Sequence, residues 1–263
     1  MVVITGGSRG IGAACARTFH SAGWNVSTIA LAPGEADVIH SPQVLTIHGD
    51  ITEPQVRELA IRRTVAKFGR IDVLINNAGV GLYAHPTELS RELFFRLVDV
   101  NVFAPLALAQ LVVHVMREQG SGTIVNVGSV AASVALPWAA GYCASKAALH
   151  SIHDSLRRQL RDTGVRLMKV APGIVDTNFR AHVLAGTPPQ SVRQIRRVVS
   201  ADAVAAAILQ GVRKRRKTIY VPQIGALFTL IGHIAPALMD LYLSRLNRET
   251  FGLQLPSRDC TLE

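Results

Sequence analysis

The chain has 263 residues, of which 49% are hydrophobic and 17% charged, so it can bury a large core and suits one α/β domain better than two small ones. This composition excludes an intrinsically disordered chain. The three cysteines (Cys15, Cys143 and Cys260) are scattered and lack metal-binding spacing, which predicts reduced thiols in a reducing compartment.

The formal net charge of +10 raises the question of an anionic partner such as a nucleic acid, a membrane surface or an acidic ligand. The basic residues are dispersed apart from runs at 193–197 and 213–217, and aromatic residues make up only 5% of the chain. Since stacking aromatics are not interleaved with the cations, we expect no nucleic-acid partner. The 213–217 run is interpreted as a solvated helix end.

The N-terminal sequence starts directly with a β-branched run and has no basic region or small-residue cleavage site, which predicts a cytoplasmic location. Every apolar stretch of eighteen residues contains a helix breaker or a polar residue, and this argues against a membrane-spanning helix. The histidines show no ligand spacing. We therefore interpret them as surface or packed residues and expect no metal site.

The first predicted unit is a strand over Val2–Thr5, a glycine-rich turn and an apolar-periodic helix from Ile11 to about residue 22. Glycines at 6, 10 and 12 permit a tight turn and let backbone N–H groups approach a pyrophosphate at the helix N-terminus. Their spacing is wider than G-x-G-x-x-G, so a turn without a ligand is the alternative. The position at the first strand–helix junction favours nucleotide binding.

The second strand is predicted over residues 25–31 and the third over 44–47, with a connection too short for more than a helical turn. An acidic residue at the end of the second strand would bind an adenosine ribose and repel a 2′-phosphate. Ala30, Leu31 and Ala32 provide no acid, while Arg9 offers a positive charge. This pattern favours NADP(H) over NAD(H).

The remaining elements continue to alternate. Apolar runs predict strands over 71–75, Gly122–Val127, 165–170 and Thr218–Val221, and periodicity predicts helices over Pro54–Phe68, 98–115, from Tyr142 to about 160, and 201–212. The helix at 98–115 carries a polar insertion at Asn101 and a proline at 105. Alternation of buried strands and helices predicts a doubly wound α/β fold: one parallel sheet of about seven strands with helices on both faces and ligands at the carboxyl ends of the strands.

A tyrosine and a lysine four residues apart, Tyr142 and Lys146, lie on one face of a predicted helix. A nearby ammonium favours the phenolate and lowers the pKa of a tyrosine towards the range in which it transfers protons. Such a pair is common by chance. Polar residues at several predicted strand ends, including Ser129 and the Asn76–Gly79 segment, turn it into a candidate site.

In their order and spacing, these motifs resemble the classical short-chain dehydrogenase/reductase family from residue 2 to about 222. Thr5-Gly6-x3-Gly10-x-Gly12 resembles its cofactor turn, and Asn76-Asn77-Ala78-Gly79 its sheet-stabilising motif. The resemblance implies a catalytic tetrad of Asn101, Ser129, Tyr142 and Lys146. It also implies cofactor contacts from Gly6, Ser8, Arg9, Gly10, Ile11, Gly12, Asp50, Ile51, Asn77, Ala78, Gly79, Tyr142, Lys146, Pro172, Gly173, Ile174 and Thr177.

The resemblance further implies a role for each of these side chains. Tyr142 would exchange a proton with the reacting oxygen, Ser129 would hydrogen-bond that oxygen, and Lys146 would lower the pKa of Tyr142 and hold the nicotinamide ribose. Asn101 would position a water that links Lys146 to solvent. Asp50 and Ile51 would contact adenine, and Asn77 would lie beside the adenosine ribose.

Two regions outside the shared core are expected to select the substrate. Residues 178–200 are predicted to form a lid within a catalytic domain of residues 1–222. Residues 223–263 form an apolar extension whose 224–243 stretch lies between cations at 213–217 and at Arg245 and Arg248. We expect this stretch either to be buried against the substrate pocket or a second subunit, or to lie on a membrane surface through 223–243.

The function expected from these patterns is an NADP(H)-dependent oxidoreductase that interconverts a ketone and a secondary alcohol on a hydrophobic, lipid-, steroid- or polyketide-like substrate. The alternatives are a non-catalytic nucleotide-binding protein and a membrane-associated scaffold of the same fold. The resemblance also implies a homodimer or homotetramer, because members commonly pair through the helices that here contain Asn101 and Tyr142.

Overall fold

The computed structural model describes residues 1–37, 39–181, 183–187 and 198–251. Seven of its strands form one parallel sheet in the order β3-β2-β1-β4-β5-β6-β9. These strands are β1 (Val2–Thr5), β2 (Val26–Ala30), β3 (Val44–His48), β4 (Val73–Asn76), β5 (Gly122–Val127), β6 (Val165–Pro172) and β9 (Thr218–Val221). A small separate pair consists of β7 (Val175–Asp176) and β8 (Val199–Ser200), which run parallel to each other. The predicted doubly wound sheet is confirmed.

Helices cover both faces of the sheet. They are α1 (Gly10–Ser21), α2 (Pro54–Phe68), α3 (Arg91–Val98), α4 (Ala104–Glu118), α5 (Ala140–Gln159), α6 (Ala201–Arg213), α7 (Ile224–Ile234) and α8 (Pro236–Phe251). One core lies between the sheet and α1 with α6, and the other between the sheet and α2 with α4. The alternation along β1 shows why: Val2 and Ile4 point into the first core and Val3 into the second.

Most predicted boundaries are within a residue or two of the structure, and the exceptions have local causes. The strand predicted from 71 begins instead at Val73, because both backbone polar groups of Ile71 bond the side-chain amide of Gln119, at 2.9 and 2.8 Å. The strand predicted to end at 170 continues to Pro172, since Ala171 and Pro172 pair with β9. In the described part of the 32–43 connection there is no helix.

The predicted helix with a polar insertion is a continuous helical stretch in three parts. α3 passes through a π-helical turn over Asp99–Phe103 into α4. The wider turn carries Asn101 into the interior, where it is fully buried. By length and composition, Arg91–Glu118 could cross a membrane, so the sequence argument against a spanning helix was too strong. In the fold, its apolar residues Leu97, Leu108 and Val112 are buried.

Candidate active site

The glycine turn lies at the carboxyl end of β1, beside the strand-order reversal between β1 and β4. Gly6 and Gly10 have positive φ angles of 69° and 57°. A Cβ on Gly12 would lie only 2.0 Å from the carbonyl oxygen of Gly6, so the chain can fold this tightly only with glycine there. No side chain caps the start of α1 at Arg9, which leaves its first-turn N–H groups available to an anion.

The loop after β2 folds back onto this turn and brings two acids that the sequence reasoning missed. Glu35 donates its backbone N–H to the carbonyl oxygen of Ser8 at 2.8 Å. Its carboxylate pairs with Arg17, and Asp37 lies 3.0 Å from the imidazole of His48. The sequence reasoning had examined only residues 30–32 for an acid. Arg9 is exposed and makes no ion pair with any residue that the structure describes.

Two further predicted cofactor segments lie at the ends of β3 and β4, on either side of the glycine turn in the sheet. After β3, the Asp50 carboxylate accepts a hydrogen bond from the N–H of Thr52 at 2.8 Å, and Ile51 is buried. After β4, the Asn77 amide donates to the carbonyl oxygen of Thr5 at 2.9 Å, and the N–H groups of Asn77 and Ala78 both bond the Thr5 hydroxyl. The Asn77 segment therefore fastens the end of β4 to the glycine turn.

The segment after β6 closes the other side of the predicted cofactor cleft. Gly173 donates its N–H to the carbonyl oxygen of Val221 at 2.9 Å, and the carbonyl oxygen of Ile174 accepts from Val199 at 3.0 Å. Thr177 faces the glycine turn, because a Cβ on Gly10 would lie 3.2 Å from its methyl carbon. The structure thus places Thr177 directly beside Gly10, although the two residues are 167 positions apart in the sequence.

These segments together fit a nicotinamide dinucleotide. An elongated ligand needs an uncapped helix start for its pyrophosphate and pockets at successive strand ends for its two nucleosides. The close approach of the backbone at Gly6 and Gly12 provides the place for the pyrophosphate. The segments with Asp50 and Thr177, on either side of the glycine turn, provide the pockets for the two nucleosides. Among the described residues no group of three His, Cys, Asp or Glu could hold a metal ion.

Ser129, Tyr142 and Lys146 converge at the end of β5 and the start of α5. The Ser129 hydroxyl lies close enough to the Tyr142 phenol to favour its ionised form. The Ser129 oxygen is held in place by the N–H of Ala131 at 3.1 Å. The Lys146 ammonium donates to the carbonyl oxygen of Val127 at 3.1 Å and lies 5.8 Å from the centroid of the Tyr142 ring. A phenol, a hydroxyl donor and a cation therefore share one small volume.

The fourth predicted residue, Asn101, is close by but its side chain is already engaged. Its amide oxygen accepts from the N–H of Val80 at 2.9 Å, and its amide nitrogen donates to the carbonyl oxygen of Val80 and the hydroxyl of Ser145, each at 3.0 Å. Asn101 therefore ties the loop after β4 to α5. Gly79 makes room for the ends of the Asn101 and Lys146 side chains, because a Cβ on Gly79 would lie 3.1 Å from Asn101 Oδ1 and 3.4 Å from Lys146 Nζ. A water position at Asn101 stays a prediction.

Burial dominates the protonation of this cluster. It raises the pKa of Tyr142 above its ordinary value, and the hydrogen bond from Ser129 only partly opposes it. This is opposite to the expected lowering by Lys146, whose ammonium is directed to a backbone carbonyl instead. Burial also lowers the pKa of Lys146 to about 8. In this form of the protein, Tyr142 holds its proton at neutral pH.

A buried polar cluster that the sequence reasoning did not single out lies behind the site. His150 is one helical turn after Lys146 and packs so tightly against Gly128 that a Cβ there would be 1.9 Å from His150 Nε2. His153 bonds the Asn126 amide at 3.1 Å, and Asn126 accepts from Asn76 at 2.9 Å. Burial lowers the pKa of His150 to about 3 and that of His153 to about 4, so both are neutral. The i, i+4 spacing from Lys146 was the available signal for His150.

The side of the site away from the glycine turn is apolar and aromatic. Tyr142 packs with Trp138, Tyr83 and Ile174 in one cluster, and the ring of Phe179 lies 6.0 Å from that of Tyr142. Phe179 belongs to the segment predicted as a lid, whose next part bonds back through the N–H of Leu184 to the carbonyl oxygen of Gly81 at 2.9 Å. The central part of that segment, residues 188–197, lies outside the described residues.

Residues 1–187 match the family model for short chain dehydrogenases. The chain belongs to this family. An uncharacterized oxidoreductase of Thermotoga maritima is 33% identical over 223 residues, which cover 80% of the chain and 88% of the relative.

Solved structures of the short-chain dehydrogenase family are similar in fold. A short chain dehydrogenase/reductase of Burkholderia phymatum, solved with NAD, has a TM-score of 0.79 at 24% identity and covers 92% of the chain and 94% of its own. A short chain dehydrogenase of Burkholderia cenocepacia, solved with NADP, has a TM-score of 0.77 at 24% identity, covering 92% and 96%. The protein is thus a short-chain dehydrogenase/reductase, an oxidoreductase with a nicotinamide-cofactor fold.

Proposed function

We propose that this short-chain dehydrogenase/reductase interconverts a ketone and a secondary alcohol on a hydrophobic substrate, with NADP(H) as its cofactor. The observation that carries the proposal is the convergence of the Ser129 and Tyr142 hydroxyls with the Lys146 ammonium beside an apolar, aromatic lining. This lining suits a lipid-, steroid- or polyketide-like molecule, because a largely apolar wall with a few fixed polar groups favours an apolar ligand.

The residues divide the proton chemistry between them. A bound nicotinamide supplies or accepts the hydride. Tyr142 is protonated at neutral pH, since burial raises its pKa further above the ordinary value, and it gives its proton to the carbonyl oxygen during reduction. Ser129 donates a hydrogen bond to the same oxygen and stabilises its developing charge. Lys146 holds the nicotinamide ribose, and Asn101 fixes α5 against the loop after β4.

The preference for NADP(H) rests on the charges around the glycine turn. Glu35 shares Arg17 with Asp202, and Asp37 lies 3.0 Å from the His48 imidazole, whereas Arg9 is exposed. A free guanidinium binds a 2′-phosphate, and a carboxylate bonded to a guanidinium repels that phosphate less. A cytoplasmic location and a homodimeric or homotetrameric assembly stay predictions.

The test is a panel of apolar and polar carbonyls and alcohols with NADPH and NADH in parallel, using the wild type, Arg9→Ser and Glu35→Gln. We expect turnover with apolar ketones, a higher kcat/KM with NADPH, and a loss of about 10-fold or more in that preference in Arg9→Ser, as charge-assisted contacts are worth ~1.5–3 kcal/mol. Glu35→Gln is the matched control and should keep the wild-type preference for NADPH over NADH. A higher kcat/KM with NADH in the wild type would contradict the NADP(H) assignment, and turnover of polar substrates alone would contradict the substrate class.

A further inference from the structure

The C-terminal helices α7 and α8 expose large apolar side chains at helical spacing. Of the twelve such side chains exposed in the described part of the chain, seven belong to these two helices, with exposures between 53% and 72%. We call this set the hairpin face: Ile224, Leu227, Leu230, Ile234, Leu238, Leu241 and Tyr242. Single exposed apolar residues are ordinary on a protein surface, but several that recur every three or four residues along one side of a helix indicate a contact surface.

The opposite sides of both helices are packed, so the hairpin face is a regular part of the fold. Met239 and Leu243 of α8 are buried against Val134, and Phe228 and Ile231 of α7 pack on the same cluster. The contact is close, since a Cβ on Gly232 would lie 2.6 Å from the Val134 side chain. Each helix therefore turns one apolar side to the domain and a second apolar side to solvent. The second side is not needed for packing against the described part of the chain.

Neither helix is long enough by itself to cross a bilayer, and each is suited to lying on one. α7 and α8 are bent by 113° between residues 234 and 236. At ~1.5 Å per residue they are only ~16 and ~24 Å long, shorter than the ~30 Å hydrocarbon core. A helix that binds at the interface needs only one apolar side, which enters the boundary between headgroups and acyl chains. The hairpin face meets this requirement on both helices.

The composition of the hairpin face favours lipid over a second protein surface. Six of its seven residues are isoleucine or leucine, and Tyr242 is followed one turn later by the exposed Arg245. Aliphatic residues bordered by a tyrosine and a cation are typical of an interfacial segment, whereas protein–protein contacts are enriched in aromatic residues, methionine and arginine.

The net charge of the chain, +10, suits an anionic leaflet. Residues 201–251 contain seven lysines and arginines and three acids, Asp202, Asp240 and Glu249. The cations at 213–217 were expected to border the apolar stretch, but they do not border the hairpin face. This exposed run precedes β9, whereas α7 follows β9, so the cations and α7 lie at opposite ends of the strand. These cations contribute to the overall attraction, and among the side chains described on α8, Arg245 is an exposed cation and Asp240 an exposed acid.

The hairpin also lies next to the substrate side of the site. α7 packs against residues 130–132, which follow Ser129 directly, and a Cβ on Gly225 would be 3.1 Å from the Val130 side chain. We propose that the hairpin face docks the protein on an anionic lipid leaflet, as a peripheral contact that leaves the domain outside the bilayer. The proposal does not depend on the substrate or the cofactor.

The test is co-sedimentation with vesicles of phosphatidylcholine alone and of phosphatidylcholine with one third phosphatidylglycerol. We compare the wild type, the double variant Leu227→Asn/Leu230→Asn, and the matched control Leu59→Asn/Phe95→Asn, which removes two exposed apolar residues elsewhere. We expect the wild type and the control to sediment with the anionic vesicles, and the hairpin variant to lose at least fivefold in the bound fraction. Arg245→Gln should weaken binding to anionic vesicles only.

Two outcomes would overturn the proposal: a wild type that stays in the supernatant, or a hairpin variant that sediments as the wild type does. A wild type that ignores vesicles while the hairpin variant alone changes from dimer to monomer in light scattering would assign the face to a second copy. If the double variant does not fold, Tyr242→Trp gives an independent reading. Its fluorescence should be quenched by brominated phosphatidylcholine beyond the wild-type background of Trp24 and Trp138, and the absence of added quenching would count against docking.

Discussion

Two regions of this short-chain dehydrogenase/reductase reverse the usual distribution of side chains between interior and surface. Behind the candidate active site, Asn101, Lys146 and His153 are almost completely buried, whereas on α7 and α8 apolar side chains such as Leu227 and Ile234 are more than half exposed. Most of the buried groups form hydrogen bonds to fixed partners, which offset the cost of removing them from water. The exposed apolar groups have no such compensation from the residues that the structure describes.

The difference indicates two kinds of function. Polar groups buried with fixed partners are pre-organised and hold reacting atoms in place, so substitution there should change chemistry or folding. Apolar groups left on the surface contribute little to the folded domain itself, so substitution there should change only what the protein contacts. This contrast predicts a separation between activity, stability and surface binding that three further measurements can check.

The largest effect is expected at the buried site. Replacing Tyr142 by Phe removes the hydroxyl next to Ser129 and leaves the ring packed against Phe179. General acid–base catalysis contributes ~10²–10⁴-fold, so kcat with an apolar ketone should fall by about that factor while the protein still binds NADPH. Steady-state kinetics and cofactor fluorescence measure the two quantities. The control is Tyr242→Phe on the exposed side of α8, and a Tyr142→Phe variant within threefold of wild-type kcat would refute the assignment.

The second effect compares neighbouring residues on opposite sides of α8. Met239 is 6% exposed and packs against Val134, whereas Leu238 is 58% exposed. Met239→Ala should lower the free energy of unfolding by ~2–5 kcal/mol, because it leaves a cavity in the core. Leu238→Ala should change it by less than ~0.5 kcal/mol, as is usual for surface positions. Urea unfolding measures both, and equal losses would mean that the hairpin face is buried in the folded protein.

The smallest effect is a pH dependence from the polar cluster. His150 has a pKa of about 3 when folded and an ordinary value of 6.5, so between these pH values the unfolded chain binds a proton that the folded chain does not. The stability of the wild type should therefore fall as the pH falls below about 6.5, by up to ~1.4 kcal/mol per pH unit from this group. Urea unfolding at pH 7, 6 and 5 should show a shallower slope for His150→Asn than for the wild type. The exposed His114→Asn is the control, and identical slopes in all three proteins would exclude this origin.

Much of the fold and the site followed from local patterns. The alternation of buried strands with periodic helices determined the parallel sheet, since each pattern reports the period and the burial of its own element. The glycines at 6, 10 and 12, the i, i+4 pair of Tyr142 and Lys146, and their places at strand ends determined which residues gather at the carboxyl edge. Parallel strands bring those ends together whatever lies between them.

Other features required the tertiary structure, because they depend on residues distant in sequence. Burial from several elements raises the pKa of Tyr142, which a neighbouring lysine alone would have lowered. The loop carrying Glu35 returns to Ser8 through a backbone hydrogen bond that no periodicity reports. The apolar stretch at 224–243 divides into a packed side and an exposed side only because Val134 and its neighbours cover one of them. The sequence by itself thus determined the fold and which residues gather at the candidate site, whereas their protonation and the surfaces left open were decided by packing across the chain.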